Sequence, residues 1–154
     1  MQLYTPAQRQ RRDESAWTVV QGVLAPLQFL VFIVSCVLVL RFLLTGEGYA
    51  LATASVVLKT AVLYAIMVTG SIWEKVVFDR WLFAPAFYWE DVVSMGVIAL
   101  HTAYLVALFA NLLSPTGLAL LALAAYASYC INAGQFLLKL RMARREGETA
   151  AMPA

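Results

Sequence analysis

The chain has 154 residues, of which 62% are hydrophobic and 13% are charged, and its formal net charge is +2. The charged fraction is about half of the roughly 25% typical of soluble proteins, which excludes an ordinary soluble domain. The sequence contains no HExxH motif, Gly-rich phosphate loop or GxSxG motif, so metal hydrolases, nucleotide enzymes and serine hydrolases are excluded as well.

Four long apolar stretches follow one another along the chain. Each reaches the length of about 20 residues that a helix needs to cross a bilayer, and they cover residues 17–44, 50–73, 92–113 and 116–138. We therefore predict an all-α integral membrane protein with a four-transmembrane-helix bundle over residues 17–141. Residues 1–16 and 142–154 are predicted to be polar tails. Within the first tail, Thr5 and Pro6 favour the start of a short helix.

Basic residues are concentrated in both tails and in the loop between spans two and three. They are Arg9, Arg11, Arg12, Lys75, Arg80, Lys139, Arg141, Arg144 and Arg145. The positive-inside rule then predicts that both termini face the cytoplasm. Because these charges are the ordinary topology signal, we do not predict nucleic-acid binding.

Ionisable and amide side chains lie within the spans or at their ends: Gln21, Gln28, Lys59, Glu74, Glu90, Asp91, His101, Asn132 and Gln135. Such groups are costly in a bilayer and usually turn inward to a partner, a cavity or a substrate. Glu90, Ser94 and His101 fall within about 20° of one line along a helix. We therefore expect the function to lie inside the bundle or at its edge, although His101 also suits a hydrogen bond to a neighbouring helix.

Three carboxylates bracket the aromatic loop between spans two and three. Glu90 and Asp91 suit the N-terminus of a helix, whereas Glu74 lies at a C-terminus, where the helix dipole disfavours it. Pairing of Glu74 with Lys75 or Arg80 is the structural explanation, and a carboxyl group beside aromatic rings can also act as a proton donor. Lys59 either extends outward to the headgroups or pairs inside the bundle.

The run FDRWLFAPAFYWEDVVSMGVIALHTAYLVALF from Phe78 to Phe109 resembles the 3-vinyl bacteriochlorophyllide hydratase family of bacteriochlorophyll biosynthesis, most distinctively in WEDVVSM and ALHTAYL. The resemblance continues through Leu3–Phe32, Ala54–Lys75 and Tyr126–Arg141. It implies a lyase that needs no cofactor and acts in the cytoplasmic or intracytoplasmic membrane of a phototrophic bacterium. Water would add to the C3-vinyl group of chlorophyllide a or 3-vinyl bacteriochlorophyllide a and give a 3-(1-hydroxyethyl) group. A homo-oligomer and association with other enzymes of the pigment pathway both stay open.

The chemistry of vinyl hydration suggests roles for the polar residues. Glu90 is the expected acid, with Glu74 second. Asp91 or His101 would position water, or His101 would instead be an axial ligand of the substrate's magnesium. The residues expected to bind the substrate are Trp81, Phe87, Trp89, Ser94 and Arg80.

Two rival functions remain from the sequence. A non-catalytic pigment-binding or photosystem assembly protein would use the same histidine and aromatic residues but would leave the vinyl group unchanged. A small transporter or proton-relay subunit would use polar residues at several depths, although the two halves of the sequence show no broken-helix symmetry.

Overall fold

The computed structural model describes residues 2–152, which contain helices and no strands. The helices are α1 (Pro6–Glu14), α2 (Ala16–Thr45), α3 (Tyr49–Phe78), α4 (Tyr88–Phe109) and α5 (Pro115–Ala151). Helices α2 to α5 are each long and apolar enough to cross a membrane. The predicted all-α class with four long apolar helices is therefore confirmed.

Three helices differ from the predicted spans by more than one residue. Helix α3 continues to Phe78 instead of ending at residue 73, and helix α4 ends at Phe109 instead of at residue 113. Helix α4 begins at Tyr88 because Glu90 and Asp91 occupy its first turn, where the helix dipole favours acidic side chains. Helix α5 continues through the predicted polar tail to Ala151. A span must be apolar, but a helix can continue into polar sequence, and the apolar pattern therefore could not predict this extension.

The short helix in the N-terminal tail has a capping box. The hydroxyl of Thr5 accepts a hydrogen bond from the backbone N–H of Gln8 at 3.2 Å, and the Gln8 side chain accepts one from the Thr5 N–H at 2.9 Å. Pro6 occupies the first turn, where its missing N–H costs nothing. The predicted helix start at Thr5 and Pro6 is therefore confirmed.

The membrane helices form two hairpins, α2–α3 and α4–α5, and α1 lies against α3. A cluster of Ser35, Ser55 and Tyr126 hydroxyls joins the hairpins in the core, with the two serine oxygens 2.7 Å apart. Near the chain ends, the Leu3 N–H donates to Glu146 Oε1 of α5 at 2.7 Å. Both chain ends therefore lie at one end of the bundle, which we call the terminal end.

Candidate active site

Two carboxyl groups from different helices meet at the terminal end. Glu74, in the last turns of α3, is 4% exposed, and Asp91, in the first turn of α4, is 6% exposed. Their carboxyl groups lie close to each other. Two ionised carboxylates in contact repel each other, and burial adds the cost of desolvation, so a proton on one of them is favoured. The pair is therefore suited to share one proton.

The loop that joins α3 to α4 covers the carboxyl pair. The backbone N–H of Phe83 donates to Asp91 Oδ2 at 2.8 Å. Phe83 has a φ of 59°, an unusual left-handed conformation for a bulky side chain. This hydrogen bond stabilises negative charge on Asp91.

Glu90 has a different environment from the pair beside it. Its Oε1 lies 3.7 Å from the Nζ of Lys139 on α5, and Lys139 also donates to the carbonyl oxygen of Ala86 at 2.6 Å. Lys139 is therefore the ion-pair partner of Glu90. Sequence reasoning missed Lys139 as a site residue. The available signal was its position in the sequence. Lys139 is the first basic residue after span four, and it lies level with Glu90 if both termini are on the same side of the membrane.

Aromatic rings surround this end of the bundle in a cluster that we call the aromatic box. Its members are Tyr4, Trp73, Phe78, Phe87 and Phe136. The ring centroids of Trp73 and Phe87 are 5.6 Å apart, and Phe87 lies 6.1 Å from Phe136. The box borders the carboxyl groups, because Trp73 directly precedes Glu74 and Lys139 Nζ lies 5.7 Å from the Phe87 ring centroid.

The predicted substrate-binding residues are not brought together. Of the five, Phe87 alone belongs to the aromatic box. Trp81 and Trp89 are 59% and 68% exposed, and Arg80 is exposed beside them. Ser94 is buried between α4 and α5, where its hydroxyl lies 2.8 Å from the Glu90 carbonyl oxygen and 3.0 Å from Asn132 Oδ1. This geometry gives Ser94 a role in fixing the first turns of α4 against α5.

The expected pairing of Glu74 with a basic neighbour is wrong. Lys75 instead donates to the carboxylate of Asp79 at 2.6 Å, and this hydrogen bond lowers the pKa of Asp79 below its usual value. Asp79 follows the end of α3 and is exposed, so this ion pair lies outside the buried site. The unfavourable position of Glu74 at a helix C-terminus is explained by its contact with Asp91, which removes one negative charge from the pair.

His101 and Lys59 lie deeper in the bundle and are both fully buried. His101 Nδ1 is 2.8 Å from the carbonyl oxygen of Val97, which can only accept, so Nδ1 carries the hydrogen and Nε2 keeps a lone pair. The alternative in which Lys59 extends outward is wrong, since its Nζ lies 3.9 Å from the centroid of the Tyr129 ring. Ten residues of helix separate His101 from Asp91, or about 15 Å, so His101 does not join the carboxyl site. Lys59, which precedes Glu74 by fifteen residues on α3, does not join it either.

The fold and the site define an all-helical protein with four helices long and apolar enough to cross a membrane, and with a buried carboxyl pair and an aromatic cluster at the terminal end. A family model described as 2-vinyl bacteriochlorophyllide hydratase matches residues 4–142. The chain therefore belongs to the 2-vinyl bacteriochlorophyllide hydratase family, as the sequence resemblance indicated.

Two curated relatives carry the same name. The chain is 68% identical over 149 residues to the 2-vinyl bacteriochlorophyllide hydratase of Cereibacter sphaeroides, a match that covers 96% of this chain and 92% of the relative. It is 66% identical over 143 residues to that of Rhodobacter capsulatus, which covers 92% of this chain and 82% of the relative. No solved structure matches the chain.

Proposed function

We propose that this chain is a lyase that adds water to the vinyl group of a bacteriochlorophyllide-type pigment during bacteriochlorophyll biosynthesis. The family match and the high identity over almost the whole chain support this activity. The vinyl group is numbered 2 in the relatives' name and C3 in systematic ring numbering. The proposed substrates are chlorophyllide a and 3-vinyl bacteriochlorophyllide a, and the product carries a 3-(1-hydroxyethyl) group.

Hydration of this alkene needs a proton donor and a positioned water molecule. Protonation of the terminal vinyl carbon leaves a cation on the carbon next to the ring, where conjugation spreads the charge into the macrocycle. Water then forms a bond to that carbon and loses a proton to a base. One proton enters the pigment and one leaves the attacking water, so no redox cofactor is needed. The proton taken up by the base then returns to the acid, directly or through solvent, and this restores the starting state of the enzyme. The magnesium belongs to the substrate.

The burial of Glu74 and Asp91 side by side is the observation that carries the assignment of the acid. Two adjacent buried carboxyl groups favour a proton on one of them, and an acid needs a proton that it can transfer. We propose the pair as the acid in preference to Glu90. We propose Glu90, the ion-pair partner of Lys139, as the base that accepts the proton from water.

The magnesium-ligand role of His101 is a competing pose for the pigment. The free lone pair of His101 Nε2 suits a metal ligand. However, His101 is fully buried, so a ring ligated there would have to separate the helices that are packed around it. We propose the pose at the carboxyl pair, with His101 as a buried structural residue.

We propose that both termini face the cytoplasm and that the protein lies in the cytoplasmic or intracytoplasmic membrane of a photosynthetic bacterium. The contact between Leu3 and Glu146, which brings the two chain ends to one end of the bundle, supports a shared side for the termini. The basic residues of both tails support the cytoplasmic side. The exposed Trp81 and Trp89 then suit the headgroup layer of the membrane at that side.

The activity is tested by incubating membranes that contain this protein with chlorophyllide a. We expect the absorption to shift to the blue as conjugation with the vinyl group is lost, and the pigment mass to rise by one water. Membranes without the protein are the control. Pigment that is retained with its vinyl group unchanged would refute the lyase and support the pigment-binding alternative.

A further inference from the structure

The segment before α1 is buried, although the sequence predicts a polar tail. Leu3 is 5% exposed and Tyr4 is 4% exposed. The Tyr4 ring is stacked on Phe78, with centroids 5.6 Å apart and an interplanar angle of 18°, and it lies 6.4 Å from Phe87. Burial raises the pKa of the Tyr4 hydroxyl above its ordinary value. Tyr4 is therefore an integral part of the aromatic box.

The contacts of Tyr4 are those that a larger conjugated ring would make in the same place. Phe78 offers a face for parallel stacking, Phe87 offers a tilted ring, and the Arg12 guanidinium lies 4.7 Å from the Tyr4 ring centroid. Phe87 also lies near Lys139, the ion-pair partner of Glu90. A flat pigment stacked on Phe78 and Phe87 would thus lie beside the carboxyl groups.

The segment is held in the box by few polar contacts. The Leu3 N–H donates to Glu146 Oε1 at 2.7 Å, and Arg9 Nη2 lies 3.8 Å from Glu146 Oε2. Residues 3 and 4 belong to no helix, so they can leave the box without unwinding one. This movement requires release of Glu146, loss of the Arg12 contact with the Tyr4 ring, and loss of the apolar packing of Leu3 and Tyr4.

We propose that Tyr4 is a built-in occupant of the pigment-binding site and that the tetrapyrrole displaces Leu3 and Tyr4 to stack on Phe78 and Phe87. The identity of the ligand rests on the proposed function. In this arrangement the vinyl edge points towards Glu74 and Asp91. Tyr4 competes with the substrate, and the binding affinity reports this competition directly.

Removal of the Tyr4 ring should therefore tighten binding of the pigment. The probe is a magnesium chlorin with an ethyl group in place of the vinyl group, which binds but cannot be hydrated. Its Kd is measured by quenching of tryptophan fluorescence, since Trp73 is part of the box. We expect Tyr4→Ala to lower the Kd about tenfold, which corresponds to about 1.4 kcal/mol, a size consistent with the loss of one or two aromatic pairs.

Three further variants identify the cause of the change. Tyr4→Phe keeps the stacked ring and should bind like the wild type. Tyr49→Ala removes a tyrosine that contacts Phe42 at 5.3 Å, away from the box, and should also leave the Kd unchanged. Glu146→Gln weakens the contact that holds Leu3 and should lower the Kd by a smaller factor than Tyr4→Ala.

A second readout does not depend on the Tyr4 substitutions. If the pigment displaces the segment, binding of the 3-ethyl chlorin to the wild type should speed hydrogen exchange of the Leu3 amide, which donates to Glu146. Unchanged or weaker binding in Tyr4→Ala, or exchange at Leu3 that slows or stays unchanged on binding, would overturn the proposal. A wild type that binds the 3-ethyl chlorin as described but never hydrates the vinyl pigment would refute the lyase and leave the ring site standing.

Discussion

Replacement of Glu74 by glutamine tests the shared proton directly. In the wild type, Glu74 and Asp91 are buried side by side, which favours a proton on one of them. The amide of Glu74→Gln supplies its own N–H to Asp91, which then remains a carboxylate, and the transferable proton is lost. Because burial keeps solvent from acting as a substitute acid, we expect turnover to fall by about 10²–10⁴-fold.

The same substitution should have little effect on folding. The amide keeps the size of the side chain and donates to Asp91, so the free energy of unfolding should change by less than about 1 kcal/mol. Binding of the 3-ethyl chlorin should also persist, because the aromatic box is unchanged. The matched control is Glu47→Gln, which alters an exposed carboxylate in the turn between α2 and α3 and should leave turnover unchanged.

The assay compares initial rates of chlorophyllide a hydration for Glu74→Gln, Asp91→Asn and the double variant. Since either single change removes the shared proton, the double variant should be no slower than the slower single variant. Losses that simply multiply would show two independent roles and refute the pair. Near wild-type turnover in Glu74→Gln, together with a large loss in Glu90→Gln, would return the role of the acid to Glu90.

Three other predictions concern the surroundings of the pair. Lys139→Met should lower turnover and thermal stability, because it leaves the buried charge of Glu90 without its partner. Adding Glu90→Gln should restore stability but not turnover, and unchanged stability in Lys139→Met would contradict the ion pair. Cysteines placed at residues 10 and 145 of an otherwise cysteine-free chain should react with an impermeant thiol reagent from the cytoplasmic side only, and periplasmic labelling of either would refute the topology. His101→Ala should lower the Tm but keep the ratio of Kd values for magnesium and magnesium-free pigments, whereas selective loss of magnesium-pigment binding would support the axial-ligand role.

The fold was largely predictable because its signals are local. An apolar run of about 20 residues predicts a membrane helix by itself, and Thr5 with Pro6 predicts a helix start through capping within one turn. The extension of α5 to Ala151 was not predictable in this way. Residues 142–151 follow a helix that has already formed, and polar residues can propagate it without an apolar face.

The site was predictable in residue type but not in arrangement. The carboxylates stood out because ionisable groups at the ends of membrane spans are unusual. Which of them share a proton depends on how α3 and α4 are rotated against each other, and no local pattern encodes that rotation. The same limit applies to Tyr4 and Lys139. The neighbours of Tyr4 in the sequence look like an ordinary polar tail, and those of Lys139 look like the basic residues that commonly follow a membrane span.

The location of the carboxyl pair reconciles two opposing needs of vinyl hydration in a membrane. The pigment ring needs an apolar, aromatic surface, and the aromatic box supplies it. Water is a reactant, however, and it is scarce at the depth of Lys59 and His101, where every polar group must be satisfied by the protein. At the terminal end, Glu74 and Asp91 are buried, yet Asp91 is bonded to the loop between α3 and α4 rather than enclosed along the middle of the helices. In the proposed binding mode, displacement of Leu3 and Tyr4 by the pigment would open this end to water when the ring arrives.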